Sequence, residues 1–125
     1  MRVLFDANAL MMPLEQGVDL FSEVQALVGA FDPVVPTEVR AELAGLARQQ
    51  GRHGAAARFG LSLAARCAEV PLGAERTVDA GISAYARSHD CLVATSDREL
   101  RRSLLRDGVP VIALRGPRRV TLERG

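Results

Sequence analysis

The sequence predicts an α/β fold, a three-layer sandwich with a mostly parallel central sheet flanked by helices. Three observations predict it. Short apolar runs, among them Val3-Leu4-Phe5 and Cys91-Leu92-Val93-Ala94, lack polar alternation, as strands buried on both faces do. Segments with helical periodicity alternate with those runs. The connections between them are short, and neither a linker nor an internal repeat interrupts the alternation. With 125 residues the chain has room for one domain with a substantial core and not for two. One domain over residues 1–125 is therefore expected.

The first strand is Val3-Leu4-Phe5, which ends in Asp6-Ala7-Asn8. The segment from Ala9 to Gly17 contains Pro13 and Gly17 and reads as a loop or short turn. Asp19 starts a helix whose apolar stripe is Leu20, Val24, Leu27 and Val28, and Gly29 ends it. Pro33-Val34-Val35-Pro36 is a second strand bounded by prolines. Thr37 reads as the N-cap of a helix with Val39, Leu43 and Leu46 on its buried face. Gln49 to Gly60, with three glycines, reads as a loop feeding an Ala-rich helix through Leu61 to Ala65, and a short strand is expected around Val70. Thr77 opens a helix with Val78, Ile82, Tyr85 and Ala86 at helical spacing. The strand Cys91 to Ala94 ends in Thr95-Ser96-Asp97, and a helix carrying Leu100, Leu104 and Leu105 stops at Gly108. Val109 to Leu114 is the last clear strand, the basic turn from Arg115 to Arg119 follows, and Val120 to Leu122 adds an edge strand.

Composition excludes several classes. Hydrophobic residues make up 48% of the chain and charged residues 25%, the balance of a folded domain rather than a disordered one. The net charge of +1 announces no polyanion partner by itself. Every basic residue apart from histidine is arginine, which excludes Schiff-base chemistry and a P-loop lysine. Cys67 and Cys91 stand far apart outside any C-x-x-C and read as reduced core thiols. His53 and His89 lack zinc-ligand spacing. Neither a membrane span nor an amino-terminal targeting pattern is present, so a cytoplasmic protein with no membrane partner is expected.

Four carboxylates carry the functional argument. Asp6 and Asp97 each follow directly on an apolar strand, at the edge where open α/β sheets bind ligands. Ser96 and Glu99 fit an S-x-x-E capping box, which places Asp97 inside the helix and frees it from capping. Asp79 lies in the first turn of its helix on the flank of the apolar face, where the helix dipole alone would also favour it. Glu42 sits about 65° from the centre of the stripe formed by Val39, Leu43 and Leu46, and Glu38 about 105° away. Glu42 is thus the acid bordering the core, either as a snorkelling boundary residue or as a ligand. Carboxylates that converge without a basic partner repel unless a divalent cation neutralises them, and oxygen-only ligation suits Mg²⁺ or Mn²⁺. Such a site activates water for phosphoryl transfer.

These blocks, in order, resemble the PIN-domain nucleases. The resemblance spans essentially the whole chain and rests on D-x-N (Asp6, Asn8), E-L (Glu42-Leu43), D-x-x-I-x-x-x-A (Asp79, Ile82, Ala86) and A-T-x-D-x-x-L (Ala94, Thr95, Asp97, Leu100), followed by V-P-V-I. Relatives often show D-T-N, T-N-D and a doubled acid where this chain has Asp6-Ala7-Asn8, Thr95-Ser96-Asp97 and Asp79-Ala80. The chain is most similar to small prokaryotic members, both VapC-type toxins and ribosomal-RNA-processing nucleases. The resemblance implies RNA hydrolysis with Mg²⁺ or Mn²⁺ held by Asp6, Glu42, Asp79 and Asp97, supported by Asn8, Thr95 and Ser96. The partners that follow are RNA, an antitoxin protein in the toxin case, and a second copy of the chain as a homodimer.

Arg98, Arg102 and Arg106 recur at i, i+4 and i+8 with Arg101 at their border, so Arg98, Arg101 and Arg102 are candidate RNA-phosphate contacts; a solvated helix face is the alternative. There is no Trp, and the one Tyr, Tyr85, is assigned to a core face, so base stacking is not legible. Two other readings compete with the metal-dependent endoribonuclease. One is a non-catalytic RNA- or protein-binding module on the same scaffold. The other is a receiver-type phospho-acceptor, which needs a lysine this chain lacks.

Overall fold

The computed structural model describes residues 1–116 and 119–125. Six strands form one sheet in the order β3-β2-β1-β4-β5-β6. They are β1 (Arg2–Phe5), β2 (Asp32–Pro36), β3 (Ala68–Val70), β4 (Leu92–Thr95), β5 (Val111–Leu114) and β6 (Val120–Glu123). The first five run parallel, and β6 closes one edge antiparallel to β5. Among the described residues, six helices cover it: α1 (Ala7–Gln16), α2 (Leu20–Val28), α3 (Thr37–Leu46), α4 (Gly51–Ala64), α5 (Val78–Ser88) and α6 (Arg98–Arg106). This is the expected mostly parallel α/β architecture.

Burial explains the apolar runs. Val3, Leu4 and Phe5 of the central β1 are fully buried, as are all four residues of β4 and of β5. Phe5 meets Phe21 of α2 and Phe31 before β2 at centroid distances of 5.1 and 6.0 Å, tilted as aromatic quadrupoles prefer. Arg66 lies over the Phe21 ring at 4.8 Å.

Several expectations are corrected. The segment from Ala9 to Gly17 is α1, not a loop. Asp6 caps it, Pro13 sits inside it, and Gly17 ends it in the left-handed region with its N–H donating to the Pro13 carbonyl. The glycines between Gln49 and Gly60 lie within or at the start of α4 rather than in a loop; Gly51 starts it with a positive φ, and Gly54 and Gly60 serve close approach. A Cβ at Gly60 would stand 3.0 Å from the Leu10 carbonyl oxygen of α1, and one at Gly54 would overlap the Gln49 carbonyl. Arg58 of α4 donates to the Ala47 and Gln49 carbonyls, satisfying the end of α3 and the turn after it.

Thr37 is the first residue of α3 and not its cap, because the cap position falls on Pro36 at the end of β2; the Thr37 hydroxyl instead donates to the Val70 carbonyl of β3. Val78 is exposed, since α5 turns Gly81, Ile82, Ser83 and Ala86 inward instead. Leu27 is likewise exposed at the end of α2. Tyr85 is half-buried and stacks on His89 at 4.0 Å. In the basic turn after β5, residues 117 and 118 lie outside the described residues, Arg118 among them. Among the described residues, no helix is long and apolar enough to cross a membrane.

Candidate active site

Two neighbouring parallel strands set the site. β1 leads toward β2 on one flank of the sheet, and β4 leads toward β5 on the other. The crevice beyond the carboxyl ends of β1 and β4 is therefore a topological switch point, the place where open α/β sheets leave room for a ligand. Their register pairs Phe5 with Ala94. The next residue on each strand is Asp6 or Thr95, so the two meet side by side, and both are buried.

Asp6 leaves the sheet in extended conformation and starts α1. Its Oδ1 accepts the Ala9 N–H at 2.7 Å, which caps the helix. Its Oδ2 accepts a short hydrogen bond from the Thr95 hydroxyl. The Thr95 oxygen in turn accepts the Asp97 N–H at 3.0 Å. Thr95 thus ties the end of β1 to the start of α6. Asp97 is itself the N-cap of α6, with Oδ1 accepting from the Glu99 and Leu100 N–H groups at 2.8 and 3.2 Å. This corrects the expected capping box. The hydroxyl that anchors the turn is Thr95, so the cap falls on Asp97, and half-buried Ser96 lines the adjoining cleft.

The acids influence one another. Burial pushes the Asp6 carboxyl up to about 7; the bonds from Thr95 and Ala9 oppose this, and the Asp97 and Asp79 carboxylates add to it. Asp79, in the first turn of α5 behind the Thr77 cap, is raised by partial desolvation, then by Asp97 and Glu99. Among the described residues, no arginine contributes to the shift of either acid.

The structure therefore brings Asp6, Asp79 and Asp97 into one electrostatic neighbourhood, with Thr95 between two of them. Glu99, which the sequence suggested only as a capping partner, joins through Asp79; its spacing of two residues from Asp97 was the available signal. Glu42 is exposed on α3 and is not among the charges acting on Asp6. Glu38, one turn nearer the sheet edge, is half-buried, and its Oε1 is buried with no hydrogen-bond partner. Asn8 is exposed in the first turn of α1.

Among the described residues, no three His, Cys, Asp or Glu side chains stand close enough to form a closed metal cage. Mg²⁺ does not require one, since it typically binds through one or two carboxylates with water and substrate phosphate completing the shell. The donor chemistry fits this. Asp97 Oδ2 takes part in no hydrogen bond among the described residues, and the Asp79 carboxylate takes part in none either. Both act on buried Asp6, whose shift no cation among the described residues offsets.

On the other side of Thr95 the surface turns basic. A cleft of about 570 Å³ is lined by Thr95, Ser96, Arg98, Arg101, Arg102, Arg115 and Arg119, and by Glu15. Arg98 and Arg102 are exposed. Arg101 is only 20% exposed, and it donates to Glu123 Oε1 at 2.7 Å. Arg102 also faces Asp79 and Glu99 in a second depression, so it stands between the acids and the basic cleft.

A family model described as a PIN like domain matches residues 3–117. The chain belongs to the PIN-like domain family. Among solved structures, this PIN-like chain is similar to the PIN domain endonuclease Utp24, with 26% identity and a TM-score of 0.78, over 99% of this chain and 92% of that one. No curated protein matches. The resemblance read from the four sequence blocks is thus shown, and the PIN-like sheet and crevice are a nuclease-type fold.

Proposed function

We propose that this PIN-like chain is an endoribonuclease dependent on Mg²⁺ or Mn²⁺, of the toxin or the RNA-processing type. The observation that carries this reading is the group of Asp6, Asp79 and Asp97 at the β1–β4 crevice, where Asp97 and Asp79 act on Asp6 and Asp97 acts on Asp79. Similarity to a PIN domain endonuclease supports it. A divalent cation held by Asp97 and Asp6, with Asp79 and Glu42 reaching it directly or through water, would supply water activation and charge stabilisation at the phosphate.

The chain's own residues do the rest. Thr95 ties the Asp6 carboxylate to the Asp97 backbone, which fixes the two acids relative to one another. Burial keeps water from screening Asp6, which strengthens its interaction with any cation that enters. Arg98 and Arg102 receive backbone phosphates beside the acids, and their planar forks suit that contact. Asn8 and Ser96 offer polar groups at the rim.

RNA is the substrate in this reading. A second copy of the chain, as a homodimer, is a further partner, an antitoxin protein joins it in the toxin branch, and the cytoplasm is the place of action. An antitoxin-like open reading frame beside the gene separates the toxin branch from the processing branch. The test of the activity is cleavage of single-stranded RNA with Mg²⁺, Mn²⁺ or EDTA, for the wild type, Asp6→Asn and Asp97→Asn. Cleavage that requires metal and vanishes in both variants is expected. Cleavage that persists in EDTA, or in both variants, would overturn the assignment.

A further inference from the structure

Glu123, at the end of β6, has no part in the acidic crevice, yet it holds two arginines of the basic cleft. Its Oε1 accepts from Arg101 of α6 at 2.7 Å, and its Oε2 accepts from Arg115, just past β5, also at 2.7 Å. The Thr121 hydroxyl donates to Oε2 at 3.4 Å. Arg101 holds the Glu123 carboxyl below its usual range, and Arg115 adds to this. One carboxylate of the edge strand thus links a helix and a strand-end turn through two arginines that line the cleft.

We infer that Glu123 is a positioning residue that holds Arg101 and Arg115 as the walls of a subsite for the phosphodiester backbone of single-stranded RNA. Each guanidinium has five N–H donors, and one carboxylate oxygen occupies only part of that set. The remaining donors stay available to phosphate in a fixed orientation. The cleft volume of about 570 Å³ lies within the range of ligand clefts. None of its lining residues is aromatic, so a strand would be held by its phosphates and not by base stacking. Arg102, shared with the depression at Asp79, joins this subsite to the acids, so a strand in the cleft would lead toward the β1–β4 crevice.

Positioning and simple neutralisation make opposite forecasts. Removing Glu123 raises the net charge from +1 by one unit, which by charge alone should tighten RNA binding. If Glu123 positions the two arginines, its loss frees them to rotate, and binding weakens despite the added positive charge.

The inference rests on the reading of RNA as substrate, so the assay is kept separate from catalysis. Binding of a fluorescent oligouridylate is measured in EDTA by anisotropy across a salt series. Wild type, Glu123→Ala, Glu123→Gln and Glu15→Ala are compared, with melting temperatures recorded for each. Glu15 also lines the cleft; it lies 3.6 Å from His53 and holds no arginine among the described residues, so Glu15→Ala removes a cleft charge without releasing an arginine. Glu123→Ala should weaken binding by about fivefold or more. Glu123→Gln, which keeps one carbonyl acceptor, should fall between it and the wild type, and Glu15→Ala should bind at least as tightly as the wild type.

Tighter binding by Glu123→Ala with a steeper salt slope would overturn the inference, and so would a wild type that does not bind the probe. If Glu123→Ala does not fold, Glu123→Gln decides: binding equal to or tighter than wild type overturns the inference, and weaker binding supports it. Loss of cleavage in the acid variants with oligouridylate binding intact would leave this subsite standing.

Discussion

Replacing Asp6 with Asn should remove a loss of stability that the metal-free protein otherwise suffers as pH rises. The Asp6 carboxyl is raised from 3.8 to about 7, chiefly by burial, with Asp97 and Asp79 adding to it. A group whose folded pKa lies above its unfolded pKa contributes stability that is fully present below the unfolded value. That contribution is lost as the pH rises through the folded value. The gap between 3.8 and about 7 corresponds to about 4 kcal/mol at ~1.4 kcal/mol per pH unit, as an upper figure. At about 4 °C per kcal/mol for a chain of this size, wild-type Tm should fall by ~15 °C between about pH 4 and pH 8 from this group alone.

In Asp6→Asn the amide oxygen can still accept from Ala9, and its NH₂ can donate to the Thr95 oxygen, at a cost of about 1 kcal/mol. The variant should therefore melt slightly below wild type near pH 4 and well above it near pH 8. The assay is thermal unfolding in EDTA across this range. A Tm difference between the two proteins that stays constant with pH would refute the buried-carboxyl argument. Adding Mg²⁺ near pH 8 should raise the wild-type Tm and leave that of Asp6→Asn nearly unchanged.

Asp97→Asn keeps the α6 cap and should melt like wild type, whereas Asp97→Ala should lose ~1 kcal/mol; calorimetry should find Mg²⁺ binding abolished in both. Glu42→Gln should lose RNA cleavage at unchanged metal-free Tm, while Glu38→Gln should cleave like wild type and melt no lower; the reverse pattern would transfer the second acid to Glu38, whose Oε1 is buried without a partner. Arg98→Ala and Arg102→Ala should each weaken binding about uniformly across RNA sequences and flatten the salt slope by roughly 0.7, read from titrations in EDTA. Gly60→Ala should destabilise by ~1–3 kcal/mol in chemical unfolding, because the new methyl meets the Leu10 carbonyl oxygen at 3.0 Å.

The strands were legible because burial on both faces writes itself as uninterrupted apolar runs, and Asp6 and Asp97 were legible because each interrupts such a run at its end. What the sequence hid came from residues with two uses. Pro13 reads as a breaker, yet α1 tolerates it, since the helix is anchored by the Asp6 cap and by packing on α4 through Gly60. Gly54 and Gly60 read as loop residues because a sequence shows their missing side chains but not the backbone that fills the space. The capping of α6 by Asp97 depends on the Thr95 hydroxyl fixing the turn, a contact that local spacing does not encode. Helical-wheel angles separate Glu42 from Glu38 only by their relation to Val39, Leu43 and Leu46. They carry nothing about which helix end lies nearest the sheet edge, and there Glu38 has the closer place.

The Thr95 hydroxyl has a single hydrogen, and it goes to Asp6. Its oxygen meanwhile accepts the Asp97 N–H, so the dipoles run head to tail from the start of α6 to the end of β1. That chain has a polarity that only an ionised Asp6 maintains in full. A proton on Oδ2 would face the Thr95 hydrogen, and one of the two would have to turn away. The ionisation of one acid is thereby coupled to the posture of the other.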